Sequence, residues 1–445
     1  MPAPDRPLAN PPTLSRGRPD RCPGAVRLHH AEDGSVARIR VPGGLLRADQ
    51  IDEIVCAATE LGDGSIEVTS RGNLQLRGLP PSCGGDLAAR LYAVGLLPSV
   101  AHDRARNVLL SPLSGLDGRG LADLTSTVPE YDEILCGTAA LALLSGRFLV
   151  AFDDGRHDVA ALDADVTLVA RAERVTELLL AGLPTGLTVA AGDAARCAAT
   201  AAEVFLVACA TAGADSWRVR DLVSSPLDLL DPVRALLADR AIPHEHSDPG
   251  LTPSASPRQG PALGVVRSQD GPAALSVAAP LGRAPAASWQ ALVALARTAV
   301  GDLRLTPWRG IVIPGVDAAG CTAGLASLAS AGFVTNARSP RAGVTACAGR
   351  TGCAKSLADV HADAEASFGA AQKASGTTLL PLHWSGCERR CGHPTGARVE
   401  VVAQPGGHYV IERHDAADPP TTTALTAGAS PQALAGAVSD ARRTP

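Results

Sequence analysis

Apolar residues recur at helical spacing through Ile51, Ile54, Val55, Ala58 and Leu61, and the segment after them alternates every second residue. Helix faces repeat every three to four positions and strand faces every two, so this switch predicts a helix followed by strands. The strands fall on Gly64-Ser-Ile-Glu-Val-Thr69 and Leu74-Gln-Leu76-Arg-Gly78, with Arg71-Gly-Asn73 as the turn between them. The same succession returns 237 positions later as Gly301-Asp-Leu-Arg-Leu-Thr306, the turn Trp308-Arg-Gly310 and Ile311-Val-Ile313-Pro-Gly315, with Leu292 and Leu295 in the places of Val55 and Ala58. Identities are few but the apolar pattern coincides, which predicts an internal duplication.

Between the copies, residues 243–261 are dense in Pro, Ser and His, with Pro253-Ser-Ala-Ser-Pro257 in the middle, and read as a linker. Each half then predicts a small α+β unit (22–95 and 262–335) followed by a larger α/β unit (96–242 and 336–445). Residues 1–21 read as a mobile tail.

A chain of 445 residues with 46% hydrophobic and 19% charged residues is long enough for two to four domains and too apolar to be wholly disordered. Its longest apolar candidate, Ala139 to Phe152, is interrupted by Arg147, and the first twenty residues lack an apolar stretch. The expectation is a cytoplasmic protein without a membrane span or secretory signal. A net charge of −5 argues against a nucleic-acid partner. The 38 Arg against 2 Lys match the excess of Ala, Gly and Pro as a mark of genome composition, so only an arginine's position carries information. No G-x-G-x-x-G follows a strand, so no nicotinamide fold is visible.

Eleven cysteines, an odd number, do not space as a secreted disulfide scaffold and predict reduced thiols. Four of them form C-x5-C (Cys347, Cys353) and C-x3-C (Cys387, Cys391), with 33 residues between the pairs. Two loops with two thiolates each suit a [4Fe–4S] cube, one thiolate per iron corner. Zinc is the rival reading, although structural zinc knuckles are usually tighter. Four unrelated cysteines is the bland one. Leu357, Val360, Ala364 and Phe368 keep a helical face, which places Cys353 near a helix N-terminus. Val399–Val402 and Tyr409–Ile411 flank Gln404-Pro-Gly-Gly407, a hairpin pattern. At the 237 shift, Cys347 and Cys353 fall on Leu110 and Leu116, so one half carries ligands where the other carries packing. Histidine offers no metal assignment: His244-Glu-His246-Ser-Asp248 lies in the expected linker, and His383 and His393 read as structural.

Val68-Thr-Ser-Arg71-Gly-Asn73-Leu-Gln75-Leu-Arg77-Gly78, then Arg106-Asn107-Val108, then the two cysteine pairs, resemble the sulfite and nitrite reductase superfamily from about residue 22 to 410. The resemblance implies a pseudo-twofold fold, two ferredoxin-like units capping two α/β units around a tetrapyrrole cavity beside the cluster. Cys22-Pro-Gly24, Pro42-Gly-Gly44, Ser385-Gly-Cys387 and Cys391-Gly-His-Pro394 are most similar to the precorrin-3B synthase branch. The siroheme loop of the reductases carries a Pro-Arg-Lys-Phe-Lys-like run, whereas this chain has Ser145-Gly-Arg147-Phe-Leu149, with one basic position kept and one lost. By motif correspondence Arg71, Arg106 and Arg147, with Arg77 as a fourth, are expected to bind substrate carboxylates through guanidinium forks. The family further implies precorrin-3A and O2 as substrates, with hydroxylation at C20 and γ-lactone closure. It implies a mononuclear non-haem iron beside the cluster, and NADH as ultimate reductant through a ferredoxin or reductase partner. A siroheme-dependent reductase, or an iron–sulfur sensor or scaffold, are the alternatives.

Overall fold

The computed structural model describes residues 20, 22–212, 216–222, 225–247, 260–268, 271–370, 379–415, 420–425 and 430–443. The expected tail, apart from Asp20, and the centre of the expected linker lie outside the described residues. Two compact units are present. One comprises Met1–Arg27, Ile39–Leu45 and Ala88–Arg258, the other Leu28–Arg38, Leu46–Leu87 and Gln259–Pro445.

The latter unit holds both copies of the duplicated element. The first copy runs β1 (His29–Ala31), β2 (Gly34–Ile39), β3 (Leu45–Arg47), α1 (Ala48–Leu61), β4 (Ser65–Val68), β5 (Leu74–Leu79) and the start of α2 (Gly84–Ala93). Helix α1 begins where Gln50 accepts the amide of Arg47 at 3.0 Å, and it buries Ile51, Ile54, Val55 and Ala58, the stripe its sequence spacing predicts. The second copy repeats the order as β12 (Gly264–Val266), β13 (Ala273–Ala278), β14 (Arg283–Pro285), α6 (Ala286–Thr298), β15 (Asp302–Leu305), β16 (Gly310–Val316) and α7 (Cys321–Ser330). Each copy lends a strand to the other: the sheets run β1-β2-β5-β4-β14 and β12-β13-β16-β15-β3. A lent strand covers what would be an open sheet edge and locks the copies together.

The duplication holds at single hydrogen bonds. Thr69 N–H donates to the Asn73 carbonyl at 2.8 Å and Thr306 N–H to the Gly310 carbonyl at 2.9 Å; Gly72 and Arg309, matched positions, each close back on the threonine carbonyl. Both adopt a left-handed backbone, with φ of +62° at Gly72 and +60° at Arg309.

The same unit ends in a third sheet with β17 (Val344–Ala346), β18 (Leu382–Ser385), β19 (Arg398–Gln404), β20 (His408–His414) and β21 (Thr421–Leu425) in sequential order. The first two pairings are parallel and the rest antiparallel, and β19–β20 is the expected hairpin. Helices α9 (Val360–Ala370) and α10 (Pro431–Arg442) supply apolar residues to its core, which centres on Trp384, Leu382, Val401 and Ile411.

The other unit is built on a six-stranded sheet, β11-β10-β9-β8-β7-β6, from β6 (Val108–Leu110), β7 (Val150–Asp153), β8 (Val166–Ala172), β9 (Val175–Leu180), β10 (Leu183–Ala190) and β11 (His244–His246). Helices α3 (Thr127–Gly137), α4 (Ala194–Ala212) and α5 (Leu230–Asp239) contribute to its core with Tyr131, Phe148, Phe152 and Phe205. Among the described residues only α4 is long and apolar enough to cross a bilayer, and 72% of that stretch is buried inside the fold.

Pairing begins as in the third sheet: β6–β7 and β7–β8 are parallel, the next two antiparallel. This is the duplicated α+β and α/β architecture expected from the sequence.

Three expectations need correcting. The segment read as linker opens with a strand, since His244–His246 pairs with Val189–Leu187 on β10; its polar composition suits a solvent-facing edge. Strands β6 and β17 match at a shift of 236, one fewer than the ferredoxin-like copies, so Cys347 corresponds to Ser111 and not Leu110. Cys353 follows the one-turn helix α8 (Gly349–Gly352) and lies seven positions before α9 starts at Val360, because Leu357 N–H turns away to the Gly386 carbonyl at 2.7 Å.

Candidate functional site

Parallel strands β17 and β18 lie side by side with Ala346 opposite Trp384, so both cysteine loops leave from one edge of the sheet. Cys347 stands one residue beyond β17 and Cys387 two residues beyond β18. The loops are stitched together: Cys347 N–H donates to the Trp384 carbonyl at 2.9 Å and Gly386 N–H to Cys347 Sγ at 3.2 Å. Gly386 is obligatory there, because a Cβ would lie 1.8 Å from Ser356 Oγ. Burial raises the Cys347 thiol pKa; the Gly386 and Gly349 amides oppose this, while Cys391 and Cys387 raise it further.

Cys347, Cys353, Cys387 and Cys391 are four thiol donors on these two loops, with the Gly386 amide turned to Cys347 Sγ, a donor set that could hold an iron–sulfur cube.

The second loop is anchored by ion pairs. Arg390, left-handed at φ +46°, donates to Glu388, Glu400 and Glu412, while Arg398 reaches the other oxygen of Glu400. Glu400, Glu412 and His414 converge closely enough for a metal, but the two guanidiniums already engage these carboxylates, so the group serves as a clamp. His383 is fully buried between Thr345 Oγ1 (2.8 Å) and the Cys391 carbonyl (3.1 Å), so Nε2 carries the proton toward that carbonyl. Burial, followed by the charge of Arg309, holds its pKa well below the ordinary histidine value. His361 meets the Cys347 carbonyl through Nε2 at 2.9 Å. These histidines brace the loops, as expected for His383. His393 turns Nδ1 to the Pro394 carbonyl at 2.9 Å.

A recess of about 290 Å³ opens beside Cys347 and Cys391. Its wall includes Arg38, Glu67, Thr69 and Ser70 from the first copy, and Arg283 and Arg309 from the second. Arg283 is paired with Asp63 and donates to Ser65 Oγ, Arg309 holds two backbone carbonyls, and Arg38 donates to the side-chain carbonyl of Gln75. The volume is at the small end for ligand pockets.

Of the arginines expected to bind substrate, Arg71 is half-buried next to Thr69 and Ser70 in the wall. Arg77 is buried, with its fork on Asp33 (2.8 and 2.9 Å) and a further bond to the Gly352 carbonyl at 2.7 Å, which ties β5 to the residue before Cys353. Arg106 and Arg147 belong to the other unit. Arg106 is 3% exposed and makes a bidentate pair with Asp132 at 2.7 Å and a bond to the Leu96 carbonyl at 2.6 Å. Arg147 is exposed, its guanidinium 5.6 Å from the Trp217 ring centroid. Leu149, at the lost basic position, is buried in the core. Arg77 and Arg106 are therefore internal ties and do not present open forks. Arg38, Arg283 and Arg309 were not singled out from the sequence; the turn Trp308-Arg-Gly310, matched to Arg71-Gly-Asn73, was the available signal for Arg309.

Known proteins share this fold. Residues 29–94 and 266–330 each match the nitrite/sulfite reductase ferredoxin-like half domain. The structure of the Mycobacterium tuberculosis NirA protein superposes with a TM-score of 0.68 at 20% identity, over 88% of this chain and 77% of that one. The chain thus carries two copies of a half domain of the nitrite and sulfite reductases and shares the fold of NirA. Along most of its length it is similar to a precorrin-3B synthase from a Sinorhizobium species, 26% identical over 402 residues, which cover 90% of this chain and 84% of that one. A ferredoxin–nitrite reductase from Synechococcus elongatus is 34% identical over 129 residues, spanning 28% of this chain and 25% of that enzyme. The chloroplastic enzyme of Zea mays is 25% identical over 82% of this chain and 69% of its own. These relatives are oxidoreductases.

Proposed function

We propose that the chain is an oxygen-dependent precorrin-3B synthase. It would hydroxylate precorrin-3A at C20, after which an acetate side chain closes a γ-lactone. The observation that carries this reading is the similarity to a precorrin-3B synthase across 90% of this chain and 84% of the relative. The burial of Leu149 where the siroheme loop carries a second basic residue supports it.

One oxygen atom enters the product and the other leaves as water, so each turnover consumes two electrons and two protons beyond O2. Cys347, Cys353, Cys387 and Cys391 would hold a [4Fe–4S] cluster that supplies one-electron transfer. A ferredoxin-type donor, with NADH as ultimate source, would deliver the electrons, and a mononuclear iron would serve oxygen activation. The chain's own side chains bind and orient. Arg38 and Arg71 would take substrate carboxylates in the recess. Arg77 and Arg106 would act one step back, by holding the cysteine loop and the α/β core in shape.

The test is anaerobic reconstitution followed by precorrin-3A, a low-potential reductant and 18O2. One labelled oxygen in the product is expected. Product without label would overturn the monooxygenase reading, and a tightly bound isobacteriochlorin with nitrite or sulfite turnover would replace it by the siroheme reductase.

A further inference from the structure

Arg309 occupies a backbone position that its own duplicate fills with glycine. Its φ is +60°, against +62° at Gly72, and both residues donate their amide to the matching threonine carbonyl, at 3.0 and 3.1 Å. A side chain in the left-handed region is strained, and such strain persists where surrounding contacts hold it. Here the contacts are specific. Nη1 donates to the Ala346 carbonyl at 3.0 Å and Nη2 to the Gly392 carbonyl at 3.2 Å. Those carbonyls belong to the residue before Cys347 and the residue after Cys391. One guanidinium thus spans the first cysteine loop and the second, 37 and 83 positions away in the chain.

We infer that Arg309 is a positioning residue for the cysteine site: it fixes the two loops at one separation and places a permanent positive charge beside the group they hold. This rests on the cluster reading above. A [4Fe–4S] cube in the 2+ state with four thiolates carries a net charge of −2, and one electron brings it to −3. A fixed cation within the low-dielectric recess stabilises the more negative state and so raises the reduction potential.

The experiment is a potentiometric titration with dithionite, followed by electron paramagnetic resonance, on anaerobically purified full-length wild type, Arg309→Gly and Arg309→Lys. Arg309→Gly restores the residue of the matched turn and relieves the left-handed strain, so its backbone should close as Gly72 does. Arg309→Lys keeps the charge without the fork. The expected result is iron and sulfide content in Arg309→Gly equal to wild type, with half-reduction requiring at least a tenfold higher ratio of reduced to oxidised mediator, about 59 mV for one electron. Arg309→Lys should lie between them. Loss of iron from Arg309→Gly with retention in Arg309→Lys also supports the assignment. Equal potentials for wild type and Arg309→Gly, or equal iron loss from both variants, would overturn it while leaving the cluster reading intact. Wild type lacking iron and sulfide would defeat the cluster reading and this assignment with it.

Discussion

Cys347 and Ser111 are the same position in the two halves. Each amide donates to the neighbouring strand's carbonyl, that of Trp384 at 2.9 Å and of Phe152 at 3.0 Å. Each side chain then accepts the amide two residues further along that strand, Gly386 onto Cys347 at 3.2 Å and Asp154 onto Ser111 at 3.1 Å. A duplicated scaffold has kept its hydrogen bonds and changed the atom at their centre from oxygen to sulfur.

It follows that serine is compatible with the backbone at Cys347. Cys347→Ser should leave the far-ultraviolet circular dichroism and thermal transition of the apo protein near wild type. Iron and acid-labile sulfide should fall, with the broad absorbance near 400 nm that the cluster reading expects. Coincident loss of secondary structure would show that the sulfur is needed for folding itself.

Arg77 and Arg106 should behave as structural residues. Each pairs with a carboxylate and also holds a backbone carbonyl, and removing one partner leaves the other charge unmet. Arg106→Ala should cost about 3–5 kcal/mol in denaturant unfolding, and Arg77→Ala about 2–4 kcal/mol because Asp33 is partly solvated. Arg77→Ala should also speed iron release, since the Gly352 carbonyl next to Cys353 loses its donor. Activity loss without a shift in unfolding midpoint would return these residues to direct substrate contact.

The pattern of Ile51, Ile54, Val55 and Ala58 was enough to read α1, and the 237 shift enough to read its duplicate, because burial of a regular face is written locally. The cysteine loops were equally legible, since ligand spacing is a property of short segments. What could not be read depends on partners far along the chain. Nothing near Arg106 in sequence announces Asp132, which occupies its fork from 26 positions away. Arg309 shows the converse: its role comes from carbonyls on two remote loops and from a backbone angle that residue type argues against. Strand β11 was hidden by composition, as His244-Glu-His246 is too polar to suggest a sheet edge.

Asp158 supplies a pH dependence of stability. Burial, then the neighbouring charge of Asp153, raises its pKa to about 7, with the Ser111 hydroxyl opposing the shift. The folded state therefore holds a proton that the unfolded chain releases near the usual carboxylate value. This contribution is complete at pH below about 4 and is lost as pH rises to about 7. Asp158→Asn keeps an acceptor for Ser111 and removes the ionisation. Its urea midpoint should exceed wild type at pH 8 and converge with it on acidification; a constant difference between pH 5 and 8 would contradict the assignment.

Arg71 is the expected substrate residue whose surroundings still suit that role. It sits half-buried in the turn whose neighbours Thr69 and Ser70 line the recess, and it is the position where the second copy carries Trp308. The first copy therefore presents a guanidinium where its duplicate presents an indole, as an asymmetric acid-bearing guest would require. Arg71→Ala should weaken tetrapyrrole binding by about 1.5–3 kcal/mol, the worth of a hydrogen bond to a charged group. Iron content and unfolding midpoint should stay at wild-type values, and Arg71→Lys should recover part of the affinity through charge without the bidentate geometry. The measurement is equilibrium binding of precorrin-3A under anaerobic conditions. Unchanged affinity in Arg71→Ala would remove the turn from the substrate site and leave Arg38 as the carboxylate ligand to examine.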